Sequence, residues 1–456
     1  MADRAAPASS TAPPVAFELE PAGPVRARLE APASKSVTNR MLVCAALGDG
    51  ESLLRGPLES DDSAAMRVAL GALGAPVTAV TAVTATESSA AAAGAAGAWR
   101  VAGTGGRPAS PRAPLDARGS GTTMRFLAAL VTLTPAGATV TGRPGLLARP
   151  VGALVAALRE LGARIDDRDG FPPVRATGGG LQGGRAAVDA AASSQFASAV
   201  LLAAPCARRP VTLHARALGA PAYVELTAQV MRDFGATVER LDQATWRVEA
   251  GRPYSAREAE VEYDASAAAH LFALAAATGG AVTVGNARPG SLQPDARLPG
   301  LLAAMGATVT RQGHALTVTG PETLAPLDAD LGPMPDQVTT VAALAALAPG
   351  SSRLRGVAVA RGHETDRLAA LARELAKLGV EVEELPDGLV IQGGRARGPA
   401  LIDPHGDHRL AMAFAALAAR VPGVSIRDPG CVAKTYPGFW ADLARAGLHW
   451  RRHGGG

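Results

Sequence analysis

The stretch Pro32-Ala33-Ser34-Lys35-Ser36-Val37-Thr38-Asn39-Arg40 places two cations and three small hydroxyl side chains in nine positions. An apolar run, Met41 to Leu47, follows directly. Cations and hydroxyls delivered at a helix N-terminus make a place to hold an anion. The plainer reading of the same residues is an N-cap, Ser34 or Ser36, followed by a solvated lysine and arginine. The stretch decides the fold because its layout recurs.

Five further polar loops lead into Ala-rich apolar runs: Gly119-Ser120-Gly121-Thr122-Thr123, Ser193-Ser194-Gln195-Phe196, Asp264-Ala265-Ser266, Pro335-Asp336-Gln337 and Asp407-His408-Arg409. From Lys35 through Ser120, Ser193, Ala265 and Asp336 to His408 the steps are 85, 73, 72, 71 and 72 residues. A second landmark lies between these loops. Gly74, Gly162, Gly235, Gly306, Gly379 and Gly447 each follow an amphipathic run and precede an alternating one, at spacings of 88, 73, 71, 73 and 68. That pattern predicts helix, left-handed glycine cap, strand. The long first step contains Thr84 to Gly97, which is expected to be an inserted hairpin tip. The chain therefore reads as six copies of a unit with two helices and about four strands, an α/β protein. Two domains of three units are the simplest packing, with 32–261 as the N-terminal lobe and 262–456 as the C-terminal lobe. Strand-forming residues 16–31 are expected to cross to the C-terminal lobe, and 1–15 to be a disordered tail.

The 456 residues suffice for two or three domains, and the core must be Ala, Val and Leu because only 4% of residues are aromatic. A formal charge of +4 is too mild for a dedicated nucleic-acid binder and suits a local pocket for small anions. Each apolar run is interrupted by Arg, Pro or Gly before it reaches membrane-spanning length. Cys44, Cys206 and Cys431 are scattered and lack metal-ligand spacing. We expect a reduced, cytoplasmic monomer with neither metal nor cofactor, acting on small anions and not on nucleic acid or membrane.

The motifs S-K-S-V-T-N-R (34–40), G-S-G-T-T-M-R (119–125), R-P-V-G (149–152), S-S-Q-F (193–196), P-D (335–336), H-E-T-D-R (363–367), D-H-R-L-A-M (407–412) and K-T-Y-P (434–437) occur in this order. With them the chain resembles the enolpyruvyl transferases, and among these most the EPSP synthases. The resemblance implies the two-domain enolpyruvyl-transferase fold, an inside-out α/β barrel of six βαβαββ units, three per domain, with the site in the cleft. It also implies transfer of the enolpyruvyl group of phosphoenolpyruvate to shikimate 3-phosphate, inhibition by glyphosate and closure of the cleft on its ligands.

The reaction joins two anions, so the site must hold a carboxylate and two phosphates and handle two protons. For phosphoenolpyruvate the candidates are Lys35, Gly121, Thr122, Arg149, Gln195, Arg367, Arg409 and Lys434, since guanidinium forks match carboxylate and phosphate oxygens. For shikimate 3-phosphate they are Lys35, Ser36, Arg40, Ser193, Ser194, Gln195, Tyr223, Asp336 and His363. Lys35, Asp336, Glu364, His408 and Lys434 are the catalytic set, with Asp336 as base toward the 5-hydroxyl and Glu364 as acid and base at C3. His363 and Arg367 are expected to set the proton affinity of Glu364, and His408 either to take part in proton transfer or, the favoured reading, to hold Arg409 by a hydrogen bond while contributing to binding. A plain alternative exists for each acid: Asp336 as a helix cap, and Glu364 paired with Arg367 on a helix surface. Arg125 is expected to be structural as readily as functional.

The sequence departs from the family pattern at Ala33, Gly119, Ala220 and His363. Ala220 stands where a phosphate-binding serine is expected. These departures leave room for a paralogue acting on another cyclitol. A UDP-sugar acceptor is disfavoured, because that branch usually carries a reactive cysteine on a mobile loop.

Overall fold

The computed structural model describes residues 15–80 and 97–454. The expected tail (except Val15) and the expected hairpin tip (except Gly97) lie outside the described residues. Each polar loop opens a buried helix: Lys35–Ala46, Gly121–Leu130, Gln195–Ala203, Ala265–Thr278, Val338–Ala345 and His408–Ala418. Ser34, Ser120, Asp264 and Asp407 cap four of them by accepting first-turn N–H groups. The helices pack three by three, the first three on one another and the last three likewise. Their Ala-rich faces permit this close approach.

Six four-stranded sheets accompany the helices. In each, a parallel pair of strands is extended by two antiparallel ones. In the second unit Leu115–Asp116 runs parallel to Ala138–Thr141, which pairs antiparallel with Phe171–Ala176 and through it with Ile165–Arg168. A parallel pair needs a crossover, and the buried helix provides it. The six glycine landmarks adopt φ between 75° and 100°, a conformation that ends the amphipathic helix and turns the chain into the next strand.

Strand exchange fixes how the units group. Ala16–Leu19 lies between Val424–Arg427 and Trp450–His453, and Arg26–Leu29 runs parallel to Ala281–Val284. In return Glu258–Glu260 pairs with Glu51–Arg55. The buried apolar residues form two cores: one spans Val37 to Val261, and the other joins Leu19–Ala31 to Tyr263–Leu448.

The chain therefore passes twice between the cores, and the two crossings run side by side in opposite directions. Ser34 N donates to the Glu262 carbonyl at 2.8 Å, Asp264 N donates to the Pro32 carbonyl at 2.7 Å, and Ala33 bridges Tyr263. Asp264 Oδ2 accepts from Lys35 N at 3.0 Å. Ser34 Oγ accepts from Val37 N at 3.4 Å and donates to Gln293 Oε1 at 2.9 Å. Ser34, not Ser36, is thus the cap, and it also ties the first core helix to a loop 259 residues away.

Ser34→Ala removes both bonds, and we expect a loss of about 1–2 kcal/mol. Urea denaturation checks this; an unchanged midpoint would mean that neither bond is stabilising.

Candidate active site

A cavity of about 300 Å³ lies between the two cores. Five of the six core-helix starts line it, through Lys35 and Ser36, Gly121 and Thr122, Ser193 to Gln195, Asp336, and His408 with Arg409. Only the start of Ala265–Thr278 does not. Helix N-termini carry partial positive charge and free N–H groups, so the cavity is cationic before side chains are counted. Lys35, Arg40, Arg125, Arg149, Arg367 and Arg409 then face Asp62, Asp336 and Glu364 on its wall.

Arg367 organises these charges. Its side chain is 1% exposed, and its guanidinium reaches three carboxylates. Nε donates to Asp407 Oδ2 at 2.7 Å, Nη1 to Asp336 Oδ1 at 2.7 Å, and Nη2 to Glu364 Oε2 at 3.1 Å. Arg409 Nη2 adds a second pair to Asp336 at 3.0 Å. Lys434 Nζ sits 2.7 Å from Glu364 Oε1, and Arg149 Nη1 reaches the same oxygen from the other core at 3.8 Å. Tyr223 also spans the cores, its hydroxyl 3.4 Å from Asp336 Oδ2. Both plain alternatives for the acids fail. Asp336 makes no capping bond to the helix Val338–Ala345, and Glu364 meets Arg367 in the cleft before the helix Arg367–Ala376 begins.

Burial alone would push both carboxyls up. For Asp336 it is outweighed by Arg409, Arg367 and His363, which hold the carboxyl well below the usual range. For Glu364 it is outweighed by Lys434, Arg367, His408 and Arg149. Arg367 thus acts on Glu364 as expected, but Lys434 takes the place assigned to His363. Asp295, behind this pair, behaves oppositely. Burial pushes it up to about 6, with Arg409 at 3.9 Å as the main opposing charge. Its Oδ2 accepts from Gln337 Nε2 at 2.9 Å and from Ser266 Oγ, while Oδ1 is buried without a partner among the described residues.

The two cavity histidines, His363 and His408, are held toward the neutral form. Burial, with Arg367 next, depresses His363 to about 4, and its Nδ1 lies 2.8 Å from Arg367 Nη1. His408 is held well below its ordinary value by burial. Neither of its ring nitrogens has a partner among the described residues, so it does not hold Arg409 as expected.

The remaining candidates divide by how free their donors are. Arg40 has no carboxylate partner among the described residues, but its donors are turned to Thr227, the Ser36 carbonyl, Ser198 and the Tyr223 carbonyl. Gln195 is held by Arg125, Nη1 to Oε1 at 2.7 Å. A Cβ on Gly121 would lie 3.2 Å from Arg125 Nη1 and 3.3 Å from Arg149 Nη1, so a side chain there would crowd both guanidiniums. Lys35 Nζ is 3.5 Å from Asp62 Oδ2. Lys434 does not line the cavity and meets it through Glu364.

Sequence reasoning missed Asp62 and Asp295 and left Arg125 undecided. Asp62, in the first turn of Asp61–Ala72, looks like an ordinary helix-start acid. Asp295 has no local signal, since its partners come from three other segments. No cysteine lines the cavity, and burial pushes Cys206 and Cys431 up to about 12. Ala220 lines the cavity and caps Pro221–Asp233 without a side-chain bond. A Cβ on Gly119 would meet nothing within 4 Å.

A family profile described as EPSP synthase (3-phosphoshikimate 1-carboxyvinyltransferase) matches residues 19–443. A 3-phosphoshikimate 1-carboxyvinyltransferase of Syntrophobacter fumaroxidans is 43% identical over 431 residues, covering 92% of this chain and 97% of the relative. One from Methanosphaerula palustris is 42% identical, covering 94% and 99%. The solved EPSP synthase of Acinetobacter baumannii superposes with a TM-score of 0.79 at 25% identity, covering 97% of this chain and all of that one. The enolpyruvyl transferase NikO of Streptomyces tendae, at 19% identity and a TM-score of 0.75 over 97% of this chain and 100% of its own, shares the fold.

Histidines held neutral in the fold make stability pH-dependent. Free imidazole titrates near 6.5. Between about 6.5 and about 4 the unfolded chain binds a proton at position 363 that the folded chain does not, so stability falls as pH falls through that window. Replacing His363→Asn should flatten the decline there, as read by melting temperature against pH. An unaltered profile would show that His363 titrates normally in the fold.

Proposed function

The chain belongs to the EPSP synthase family, and from that membership we propose that it transfers the enolpyruvyl group of phosphoenolpyruvate to the 5-hydroxyl of shikimate 3-phosphate, releasing inorganic phosphate. The observation that carries the reading is the cavity itself. Cations from both cores surround two carboxylates that lie within reach of one another through Arg367.

In this reading Arg149, Arg367, Arg409 and Lys434 take the carboxylate and phosphate of phosphoenolpyruvate. Lys35 stands between the substrates. Ser36, Arg40 and Tyr223 hold the cyclitol, Ser193 and Ser194 its phosphate, and Gln195 bridges both, positioned by Arg125. Asp336 removes the 5-hydroxyl proton as its oxygen attacks C2, while Glu364 delivers a proton to C3. The tetrahedral adduct then collapses: Glu364 takes a C3 proton back and phosphate departs, accepting the proton from Asp336. The low proton affinity of both acids in the free protein fits this cycle. When substrate anions engage the arginines and lysines, the carboxylates lose part of their neutralising charge, and their proton affinity rises toward the range useful for transfer. His408, neutral and unpartnered, supplies a hydrogen bond to the bound anions.

The proposal extends to a division into lobes at 32–261 and 16–31 with 262–456, supported by the two separate cores. It also takes the protein to act as a cytoplasmic monomer on small anions, for which the formal charge of +4 is adequate. A UDP-sugar acceptor is not favoured, and none of the cysteines is placed to react in the cavity.

Mixing protein with shikimate 3-phosphate and phosphoenolpyruvate should release phosphate, and Lys35→Ala should lower the rate about 10²–10³-fold or more with an unchanged melting temperature. Absence of phosphate release with both substrates verified contradicts the reading. Because Ala220 offers no side-chain contact, the phosphate must be bound by Ser193, Ser194 and helix N–H groups. Calorimetry should therefore still find shikimate 3-phosphate tighter than shikimate; equal affinities would point to a different acceptor.

A further inference from the structure

A seam of polar side chains runs inside the core that holds Tyr263–Leu448, behind the wall of the catalytic cavity. Asp295, in the turn Pro294–Arg297, is its centre. Its Oδ2 accepts from Ser266 Oγ of the helix Ala265–Thr278 and from Gln337 Nε2 of the turn Pro335–Gln337, the latter at 2.9 Å. One helical turn beyond both partners, His270 Nδ1 lies 3.3 Å from Thr340 Oγ1. Asp295, Gln337, His270 and Thr340 are each at most 2% exposed.

The bonding in this seam has a specific gap. Asp295 Oδ1 and Gln337 Oε1 are both buried without a partner among the described residues. They belong to two groups already joined by the bond from Gln337 Nε2. A carboxylate and an amide carbonyl can only accept, so an ionised Asp295 gives neither oxygen a donor. Unpaired buried acceptors are costly. A neutral acid has an O–H to give. Placed on Oδ1 and turned to Gln337 Oε1, one proton satisfies both atoms and makes a two-bond pair of acid and amide.

The charges around Asp295 are few. Arg409, on the helix His408–Ala418, has Nη1 3.9 Å from Asp295 Oδ2 and Nη2 3.0 Å from Asp336 Oδ2. Asp336 directly precedes Gln337 in the chain. Tyr223, on the helix Pro221–Asp233, has its phenol raised by burial and next by Asp295. His270 is depressed to about 3 by burial and so is neutral. Asp264, two residues before Ser266, is engaged by the N–H groups of Ala267 and Lys35. Arg297, on the turn itself, is exposed. Burial pushes the Asp295 carboxyl up to about 6, opposed by Arg409 and aided by Asp336. Arg409 is thus the cation whose field favours the charged form of Asp295. It is also a cation assigned above to phosphoenolpyruvate, and it lines the cavity, whereas Asp295 does not.

We propose that Asp295 is a positioning residue that acts through Arg409: when a substrate anion engages the Arg409 guanidinium, Asp295 takes a proton from solvent onto Oδ1 and leaves the charge of Arg409 to the cavity. The inference rests on the assignment of Arg409 to phosphoenolpyruvate. In the free protein the guanidinium is shared between Asp295 and Asp336. An anion in the cavity neutralises part of its charge, and a buried carboxylate that loses its opposing cation shifts toward the neutral acid. The neutral acid then closes the pair with Gln337. Anion binding and proton uptake are linked in this way, each favouring the other.

Asp295→Asn tests the proposal, because the amide imitates the neutral acid and cannot ionise. Its carbonyl can accept from Gln337 Nε2 and Ser266 Oγ, and its NH₂ can donate to Gln337 Oε1. Infrared difference spectroscopy separates the C=O stretch of a neutral carboxyl from that of a carboxylate. In the free protein one neutral carboxyl should appear as pH falls through about 6 and be missing in Asp295→Asn. Saturating phosphoenolpyruvate should move its appearance to higher pH. That shift is read on the wild type alone, so it does not depend on the variant folding. Phosphoenolpyruvate should also bind Asp295→Asn several-fold more tightly than the wild type at about pH 8 and equally at about pH 5, where both side chains are neutral. A purely structural Asp295 gives the opposite result, affinity unchanged or weakened at both values. Titration of Asp295 in the ordinary carboxylate range overturns the acid–amide pair. A titration that phosphoenolpyruvate leaves unmoved overturns the link. If phosphoenolpyruvate does not bind at millimolar concentration, the activity assigned above fails and the link with it, while the titration of the free protein still decides the pair.

Discussion

A single guanidinium, that of Arg367, holds the carboxylates of Asp336, Glu364 and Asp407 together in a place water barely reaches. Buried charges cost several kcal/mol each unless they are paired, so the arrangement persists only as a set. Truncating Arg367 would leave three acids facing one another. The set is also incomplete in a useful sense. Lys35, Arg40, Arg125 and Arg149 add positive charge that the wall acids do not balance, and His408 offers ring nitrogens that no described residue satisfies. The cleft is thus held in shape by internal ion pairs that bound anions would rearrange.

The six-fold repeat explains how so many cations reach one place. Each unit supplies a buried helix whose start is polar, and five of those starts line the cavity. The fourth start does different work. Asp264 caps its own helix, accepts from Lys35 N and bonds through its N–H to Pro32. One unit has given up its place on the wall to tie the two crossings together, which puts the Lys35 backbone on the hinge between the cores.

Much of this was legible in the sequence, and the reason is local. Polar loop, Ala-rich helix and glycine stop are short-range patterns repeated at near-constant spacing, so the six units and their helix starts could be read directly. The resemblance then attached roles to Lys35, Arg149, Asp336, Glu364, Arg367 and Arg409, and the structure brings these side chains to one cavity. What escaped depends on contacts between distant segments. Asp295 meets Arg409, Ser266 and Gln337, and Gln293 meets Ser34, with nothing nearby in sequence to announce either. His408 was misjudged because its motif neighbour Arg409 turns to Asp336 and Asp295, leaving the imidazole alone.

The central claim is that the cations neutralising Asp336 and Glu364 are the ones the substrates take, so that binding itself readies the carboxylates for proton transfer. Carboxyl carbon-13 magnetic resonance, titrated with pH in the free protein and in the presence of shikimate 3-phosphate and glyphosate, measures this directly. The account predicts that the two lowest-titrating carboxyls, assigned with Asp336→Asn and Glu364→Gln, move upward when the ligands bind. Curves that do not move, or that move further down, would contradict it.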